Sequence, residues 1–145
     1  LRTSAMILVV TGLGGSLSAI LRGTPAVEFI ATAFTEYGLP TILLPFVLGI
    51  IGNMITGSTT VGVITAASLS APMLGTLGLS PEAAMLSGAS GSVIIKYVNS
   101  SYFWICTSLT KLSVSDAVFS YGGATFIGGM VSFAAVCVMW VAGFI

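Results

Sequence analysis

Hydroxyl and amide side chains are concentrated in one glycine-rich stretch, residues 52–62, of an otherwise apolar part of the chain. Glycine stands at positions 52, 57 and 62, and the polar side chains between them are Asn53, Thr56, Ser58, Thr59 and Thr60. The stretch lies in a charge-free tract of about 45 residues, 37–81, which is longer than one membrane crossing requires. Unpaired backbone groups are costly in lipid, so irregular polar backbone at that depth favours a discontinuous helix that binds a solute. Close packing of membrane helices uses the same residue types and is the alternative.

A second polar group follows the small-residue run at residues 87–92. Lys96 lies about fourteen residues into a hydrophobic block, and Asn99 and Ser101 come shortly after it. An ionisable side chain near mid-membrane is costly and is therefore a candidate for contact with a solute. An ion pair with a carboxylate elsewhere in the protein, or a lysine that extends to the membrane surface, is the alternative.

A third glycine-rich stretch, Thr11-Gly12-Leu13-Gly14-Gly15-Ser16, separates two short apolar segments. Segments too short to span predict a re-entrant hairpin, with an interfacial helix after it, over residues 3–34. The backbone amides at Gly14 and Gly15 would then be available to an anion, because helix N-termini carry partial positive charge. A plain turn between two packed helices is the alternative.

The composition identifies the environment in which these groups must work. The chain is 56% hydrophobic and 6% charged, with a mean hydropathy of +1.12, whereas soluble domains carry about 25% charged residues. Four basic and four acidic residues cancel, and histidine is absent. We therefore predict an integral membrane protein without a nucleic-acid partner, cofactor or metal. Cys106 and Cys137 lie far apart in apolar surroundings and are read as packing residues. No constellation of catalytic side chains is visible, which argues against an enzyme.

The hydrophobic pattern predicts an all-α fold of about four membrane blocks. These are the hairpin and interfacial helix at 3–34, a broken transmembrane helix at 39–78, a transmembrane segment at 82–110 and a final transmembrane helix at 115–145. Pro72 is expected to kink or end the second block, Ser80 to cap the third, and Ser113 or Ser115 to cap the fourth. A fragment of this kind is interpreted as one half of an inverted-repeat transporter whose remaining part belongs to the same polypeptide.

Three motifs, in order, resemble the gluconate permease family of proton symporters in the ion-transporter superfamily, over the C-terminal third of such a permease. They are Thr11-Gly12-Leu13-Gly14-Gly15, Gly57-Ser58-Thr59-Thr60-Val61, and Gly91-Ser92-Val93 with Val98-Asn99-Ser100-Ser101-Tyr102-Phe103-Trp104. This chain departs from the family pattern with Tyr97 in place of a histidine, Ser100 in place of an aspartate, and Lys96 in place of a small polar residue. The departures put ordinary proton coupling in question.

The resemblance implies a multi-pass permease of the bacterial inner membrane that carries gluconate or related sugar acids by cation symport. Its partners would be the organic anion, a coupling cation (a proton, or else sodium), membrane lipid and, in a homo-oligomer, further copies. A sodium-coupled citrate or dicarboxylate carrier and a non-transporting membrane scaffold are the alternatives. The predicted substrate-binding residues are Asn53, Gly57, Ser58, Thr59, Thr60, Lys96, Asn99, Ser101, Gly14 and Gly15.

Overall fold

The computed structural model describes residues 36–145, together with isolated positions 12, 16, 20, 25, 29, 32 and 33. The predicted hairpin at 3–34, with Gly14 and Gly15, therefore lies outside the continuous described part. Residues 36–145 form helices and turns without a β-strand. This is the all-α architecture that the hydrophobic pattern predicts.

The helices follow one another with short connections. Helix α1 is Leu43–Thr56 and α2 is Thr59–Ser70, followed by a 3-10 turn, Ala71–Met73, and the short α3, Leu74–Leu77. Helix α4 is Pro81–Ile94 and α5 is Ser101–Thr110. The last element consists of α6 (Val114–Ala117), a π-helical turn (Val118–Gly122) and α7 (Gly123–Val141). The 3-10 turn contains Pro72, where a proline interrupts regular helical bonding.

Helices α1 and α2 form a hairpin around a two-residue break. Gly57 ends α1 in the left-handed conformation, with φ +67°, and Ser58 is the N-cap of α2. A Cβ placed on Gly52 would lie 3.1 Å from the Cα of Gly62, so the two helices lie side by side. This differs from the single broken span that the sequence favours, because the left-handed residue reverses the chain direction. Helix α1 has 14 residues, a length of about 21 Å against a hydrocarbon core of about 30 Å.

The block at 82–110 is interrupted instead of continuous. Helix α4 starts as its sequence indicates, with the Ser80 hydroxyl accepting from the Ala83 N–H at 3.0 Å and proline in the first turn. It ends at Ile94 because Ile95 turns to extended backbone, at φ −111° and ψ 102°. Residues 95–100 then connect it to α5. The polar residues of this connection are visible in the sequence, but the break itself is not.

Small residues allow α1, α2, α4 and α7 to approach closely. A Cβ on Gly91 would collide with the backbone carbonyl of Phe46, and one on Gly129 would collide with the Ile94 side chain. A Cβ on Gly88 would lie 2.6 Å from the Ala66 Cβ. The contacts make α4 parallel to α1 and antiparallel to both α2 and α7. Glycine thus serves close packing of these helices, as in membrane bundles.

The apolar core lies at the end of the bundle away from the breaks. It contains the start of α1, the end of the α2–α3 segment, the start of α4 and the end of α7; its buried members are Ile42, Leu44, Met73, Leu77, Leu79, Ala83 and Val136. Phe46 and Phe133 stack beside it with ring centroids 3.9 Å apart. The opposite end of α1 and α4 is left for polar residues.

The final helix is the longest apolar element of the described residues. Ser113 caps it, and its hydroxyl accepts from the Asp116 N–H at 3.1 Å. Among the residues that the structure describes, two helical segments are long and apolar enough to cross a membrane, Thr59–Leu77 and Val114–Val141. Cys106 and Cys137 are free thiols of intermediate exposure.

Candidate site at two helix breaks

Two interruptions of the helical backbone touch each other. The first break is Gly57 with Ser58, between α1 and α2, and the second break is residues 95–100, between α4 and α5. A Cβ on Gly57 would overlap the Asn99 carbonyl oxygen and lie 3.1 Å from the Ser100 nitrogen. Gly57 therefore meets two requirements that only glycine satisfies without strain, a positive φ and direct contact with the second break.

Asn53 joins the two breaks through its side chain. It lies in the last turn of α1 and is fully buried. Its Nδ2 donates to the Ile95 carbonyl at 2.5 Å, and its Oδ1 accepts from the Lys96 Nζ at 2.5 Å. The amide thus satisfies a carbonyl freed by the end of α4 and also holds a cation.

Asn99 makes the reciprocal connection from the second break to the end of α1. Its Nδ2 donates to the Met54 carbonyl at 2.8 Å and more weakly to the Asn53 carbonyl at 3.5 Å. Its Oδ1 is buried and has no hydrogen-bond partner within the described part of the chain. A buried acceptor without a donor is costly, so this oxygen marks a place where a donor from outside these residues would bind.

Lys96 carries the one buried positive charge among residues 36–145. Its side chain is 6% exposed, and its ammonium donates to the Asn53 Oδ1. No carboxylate of the described residues pairs with it. The ammonium has one neutral acceptor, so its charge is not neutralised by a side chain of the described residues and its remaining N–H donors are available to an anion.

Helix ends add to this electrostatic arrangement. Helices α2 and α5 both begin where Gly57 contacts Asn99 and Ser100, so two N-termini with partial positive charge lie side by side. Helices α1 and α4 both end there, which brings two C-termini with partial negative charge to Asn53 and Lys96. Such meeting of helix halves is the arrangement with which membrane carriers hold an anion and a cation together.

The place where the first and second breaks meet is called the crossing from here on. The other predicted residues lie around the crossing and make fewer contacts with it. The Ser58 hydroxyl accepts from the Val61 N–H at 3.4 Å as the cap of α2, and Thr59 is half-buried. Thr60 and Ser101 are exposed in the first turns of α2 and α5. The structure therefore brings Asn53, Gly57, Lys96 and Asn99 into direct contact and leaves Thr59, Thr60 and Ser101 at the rim.

Some contributors to the site were not identified from the sequence. The carbonyls of Met54 and Ile95 accept the two asparagine amides, and residue type gives no signal for a backbone acceptor. Gly122, in the π-helical turn, lies against the second break, with its Cβ position 3.2 Å from the Lys96 carbonyl. Within the described residues, no cluster of three His, Cys, Asp or Glu side chains gathers to hold a metal.

Comparison with known proteins assigns the chain to a family. The model of the GntP family permeases matches residues 1–144. An uncharacterized permease of Haemophilus influenzae is 38% identical over 77% of this chain and 23% of its own length. The high-affinity gluconate transporter of Escherichia coli is 31% identical, over 81% of this chain and 27% of that protein. The D-serine transporter DsdX of Escherichia coli is 30% identical, over 90% of this chain and 29% of that protein.

The chain thus spans less than a third of the length of these relatives. No solved structure matches it. The family consists of permeases, which move solutes across membranes and are not enzymes. Because the family model covers nearly all of the chain, and because the resemblance read from its motifs points the same way, this membrane protein belongs to the GntP family of permeases.

Proposed function

We propose that the full-length protein is a secondary transporter of small hydroxylated carboxylates, with gluconate and related sugar acids as its substrates. The crossing of the two breaks binds the substrate. The observation that carries this proposal is the meeting of two helix N-termini beside a buried ammonium, at Gly57 and Asn99. That crossing offers positive potential without an acidic side chain, which suits a monoanion.

Different polar groups of the crossing recognise the carboxylate and the hydroxyl of such a substrate. Backbone N–H groups at the starts of α2 and α5 donate to the carboxylate, and the hydroxyls of Ser58 and Thr59 border them. The Asn99 Oδ1 accepts from a substrate hydroxyl, which removes the cost of a buried acceptor without a donor. Gluconate and D-serine, the compounds in the names of two relatives, both combine a carboxylate with a hydroxyl.

The proposed arrangement of the protein in the membrane is the one that the sequence predicts. The protein spans the inner membrane several times, and we infer that the segment 3–34, which the sequence predicts to be a hairpin, encloses the site together with an inverted half elsewhere in the polypeptide. A proton is the coupling cation, with sodium as the alternative. Homo-oligomers are compatible with the exposed apolar face of α7.

Uptake of labelled gluconate into proteoliposomes that contain the full-length protein tests the proposal. We expect saturable uptake that other sugar acids compete for and that uncharged sorbitol does not. Asn99→Ala should reduce uptake at least tenfold, because the variant loses both the link to Met54 and the free acceptor, about 1.5 kcal/mol or more in total. Ser108→Ala is the control, since Ser108 is exposed on α5 and bonds its own helix at the Trp104 carbonyl.

Four other outcomes would change this assignment. Uptake that citrate inhibits and that requires sodium would identify a sodium-coupled carboxylate carrier. Uptake of D-serine without uptake of any sugar acid would identify an amino-acid carrier. A reconstituted, folded protein that transports none of these compounds would leave the scaffold interpretation. Unchanged uptake in Asn99→Ala would remove the site from the crossing while leaving the transport activity itself in place.

A further inference from the structure

The structure provides a positive charge at the position where carriers commonly bind a free cation. Helices α1 and α4 end together at the crossing, and carbonyl ends of helix halves are the usual ligands of a monovalent metal ion in membrane carriers. Here the Lys96 ammonium lies at those ends. It donates to the Asn53 Oδ1, and the same amide donates to the Ile95 carbonyl at the end of α4.

We propose that the Lys96 ammonium is a tethered counter-cation that takes the place of a bound sodium ion and balances the charge of the substrate carboxylate. The inference rests on the proposed function and deepens it, since it names the group that selects an anionic substrate and predicts that sodium is not needed at this site. Lys96 becomes a specificity-determining residue.

Burial and partners carry this assignment. The side chain is 6% exposed, too little for the ammonium to be a solvated surface charge. Its acceptor, Asn53 Oδ1, is neutral, so the positive charge is stabilised but not cancelled. Among residues 36–145 the other charged side chains are Glu36, Glu82, Lys111 and Asp116, all of them exposed, and none forms a salt bridge with Lys96.

The same contacts place the charge close to the anion-binding helix ends. The Asn53 carbonyl accepts from the Gly57 N–H at 2.7 Å, and Gly57 directly precedes the cap of α2. Lys96 is thus connected through Asn53 to the point at which α2 and α5 begin. A carboxylate at those N-termini would lie within the field of the ammonium in a region of low dielectric constant, where one unit charge has a large effect.

The test uses purified full-length protein and equilibrium binding of gluconate, with variants that separate the charge of Lys96 from its hydrogen bond. Lys96→Gln keeps a donor for the Asn53 Oδ1 and removes the charge. We expect its Kd for gluconate to rise about tenfold to a hundredfold, the range of a lost charge-assisted interaction. Lys111→Met is the matched control, because Lys111 is exposed at the end of α5, and its Kd should stay within twofold of the wild type.

Cation replacement and chemical rescue provide the second arm. Gluconate binding to the wild-type protein should be unchanged when choline replaces sodium. Lys96→Ala should bind gluconate weakly, and methylammonium, a free substitute for the missing group, should restore at least part of the affinity. A residue with only a packing role would give no rescue by an amine.

Each remaining result has a defined meaning. A Lys96→Gln variant that is folded by gel filtration and binds gluconate like the wild type would overturn the inference. A wild-type protein whose gluconate binding requires sodium would overturn it as well. A wild-type protein that binds no sugar acid in any salt would overturn the proposed function first, whereas the two previous results leave that function standing.

Discussion

Two glycine- and serine-rich stretches of this permease have similar compositions and opposite structural roles. Residues 87–92 form continuous helix within α4, where Gly88 and Gly91 bring neighbouring backbones together. Residues 52–62 contain packing glycines at both ends, but Gly57 in the middle ends one helix and its neighbour caps the next. The same residue types thus build a dry helix contact in one case and a polar break in the other.

The difference lies in where the polar groups find their partners. Ser90 and Ser92 donate to carbonyls of their own helix, at 2.9 and 2.8 Å, and Ser87 donates at 2.6 Å to the carbonyl of Ile42, which precedes α1 at the end of the bundle away from the breaks. Asn53 and Asn99 bond across the two breaks and hold separate segments together. A glycine- or serine-rich cluster in a membrane protein therefore indicates a site when its polar groups bond backbone carbonyls at the ends of interrupted helices.

The largest expected effect concerns packing. Gly91→Leu forces a side chain into the backbone carbonyl of Phe46, so that α4 must move away from α1 at a cost of about 3 kcal/mol or more. We expect the purified protein to unfold at a much lower SDS concentration. Gly128→Leu is the matched control because a Cβ there meets no atom within 4 Å, and its unfolding should be little changed. Equal loss in both variants would show that residues 87–92 are not the contact that matters.

The next effect concerns the break itself. Gly57→Ala combines a disfavoured positive φ, about 1–2 kcal/mol, with an overlap on the Asn99 carbonyl. Gly78→Ala shares the positive φ, +63°, but has open space around its Cβ. In SDS unfolding, both variants should be less stable than the wild type by about this strain energy. Only Gly57→Ala should lose gluconate binding. If Gly78→Ala lost binding to the same degree, contact between the two breaks would not be what the site requires.

A smaller effect is expected at the cap of the second hairpin helix. Ser58→Ala removes the acceptor for the Val61 N–H and should cost about 1 kcal/mol of stability. Gluconate binding should weaken severalfold, since the start of α2 is no longer fixed beside α5. Ser80→Ala removes an equivalent cap from α4, at the apolar end of the bundle, so it should cost similar stability without weakening binding. Parallel loss of binding in both would assign the effect to general destabilisation.

Sequence reasoning located the polar residues well and their geometry less well. Helical character, the caps at Ser80 and Ser113 and the helix break within residues 52–62 follow from local rules of composition, proline placement and capping. The direction of the chain after Gly57 does not, because discontinuous helices and hairpins use the same breaking residues. The pairing of Asn53 with Ile95 and Lys96 depends on how two helices pack, which one chain's local pattern does not specify.

Residues 87–92 show the converse problem. Their serines and glycines are the same residue types as those of residues 52–62, and the structure has them inside a helix contact. Serine in a membrane helix is able to satisfy its hydroxyl on a preceding carbonyl, so its polarity alone gives no information about a ligand. What separates the two cases is whether the bonded backbone group lies at a helix break, as Ile95 does for Asn53, or away from the breaks, as Ile42 does for Ser87.

The smallest effect, and the sharpest check of this comparison, is expected for Ser92→Ala. Ser92 is fully buried and lies beside the site, yet its hydroxyl donates to the Ala89 carbonyl of its own helix. Alanine keeps the Cβ that contacts Gly62 and has the better helix propensity, so the free energy of unfolding should change by no more than about 0.5 kcal/mol. Gluconate binding should remain within twofold of the wild type, in contrast to Ser58→Ala. A loss of gluconate binding in Ser92→Ala would mean that a hydroxyl bonded within its own helix still faces the substrate. Residues 87–92 would then contribute to the site as residues 52–62 do, and the distinction between the two stretches would be wrong.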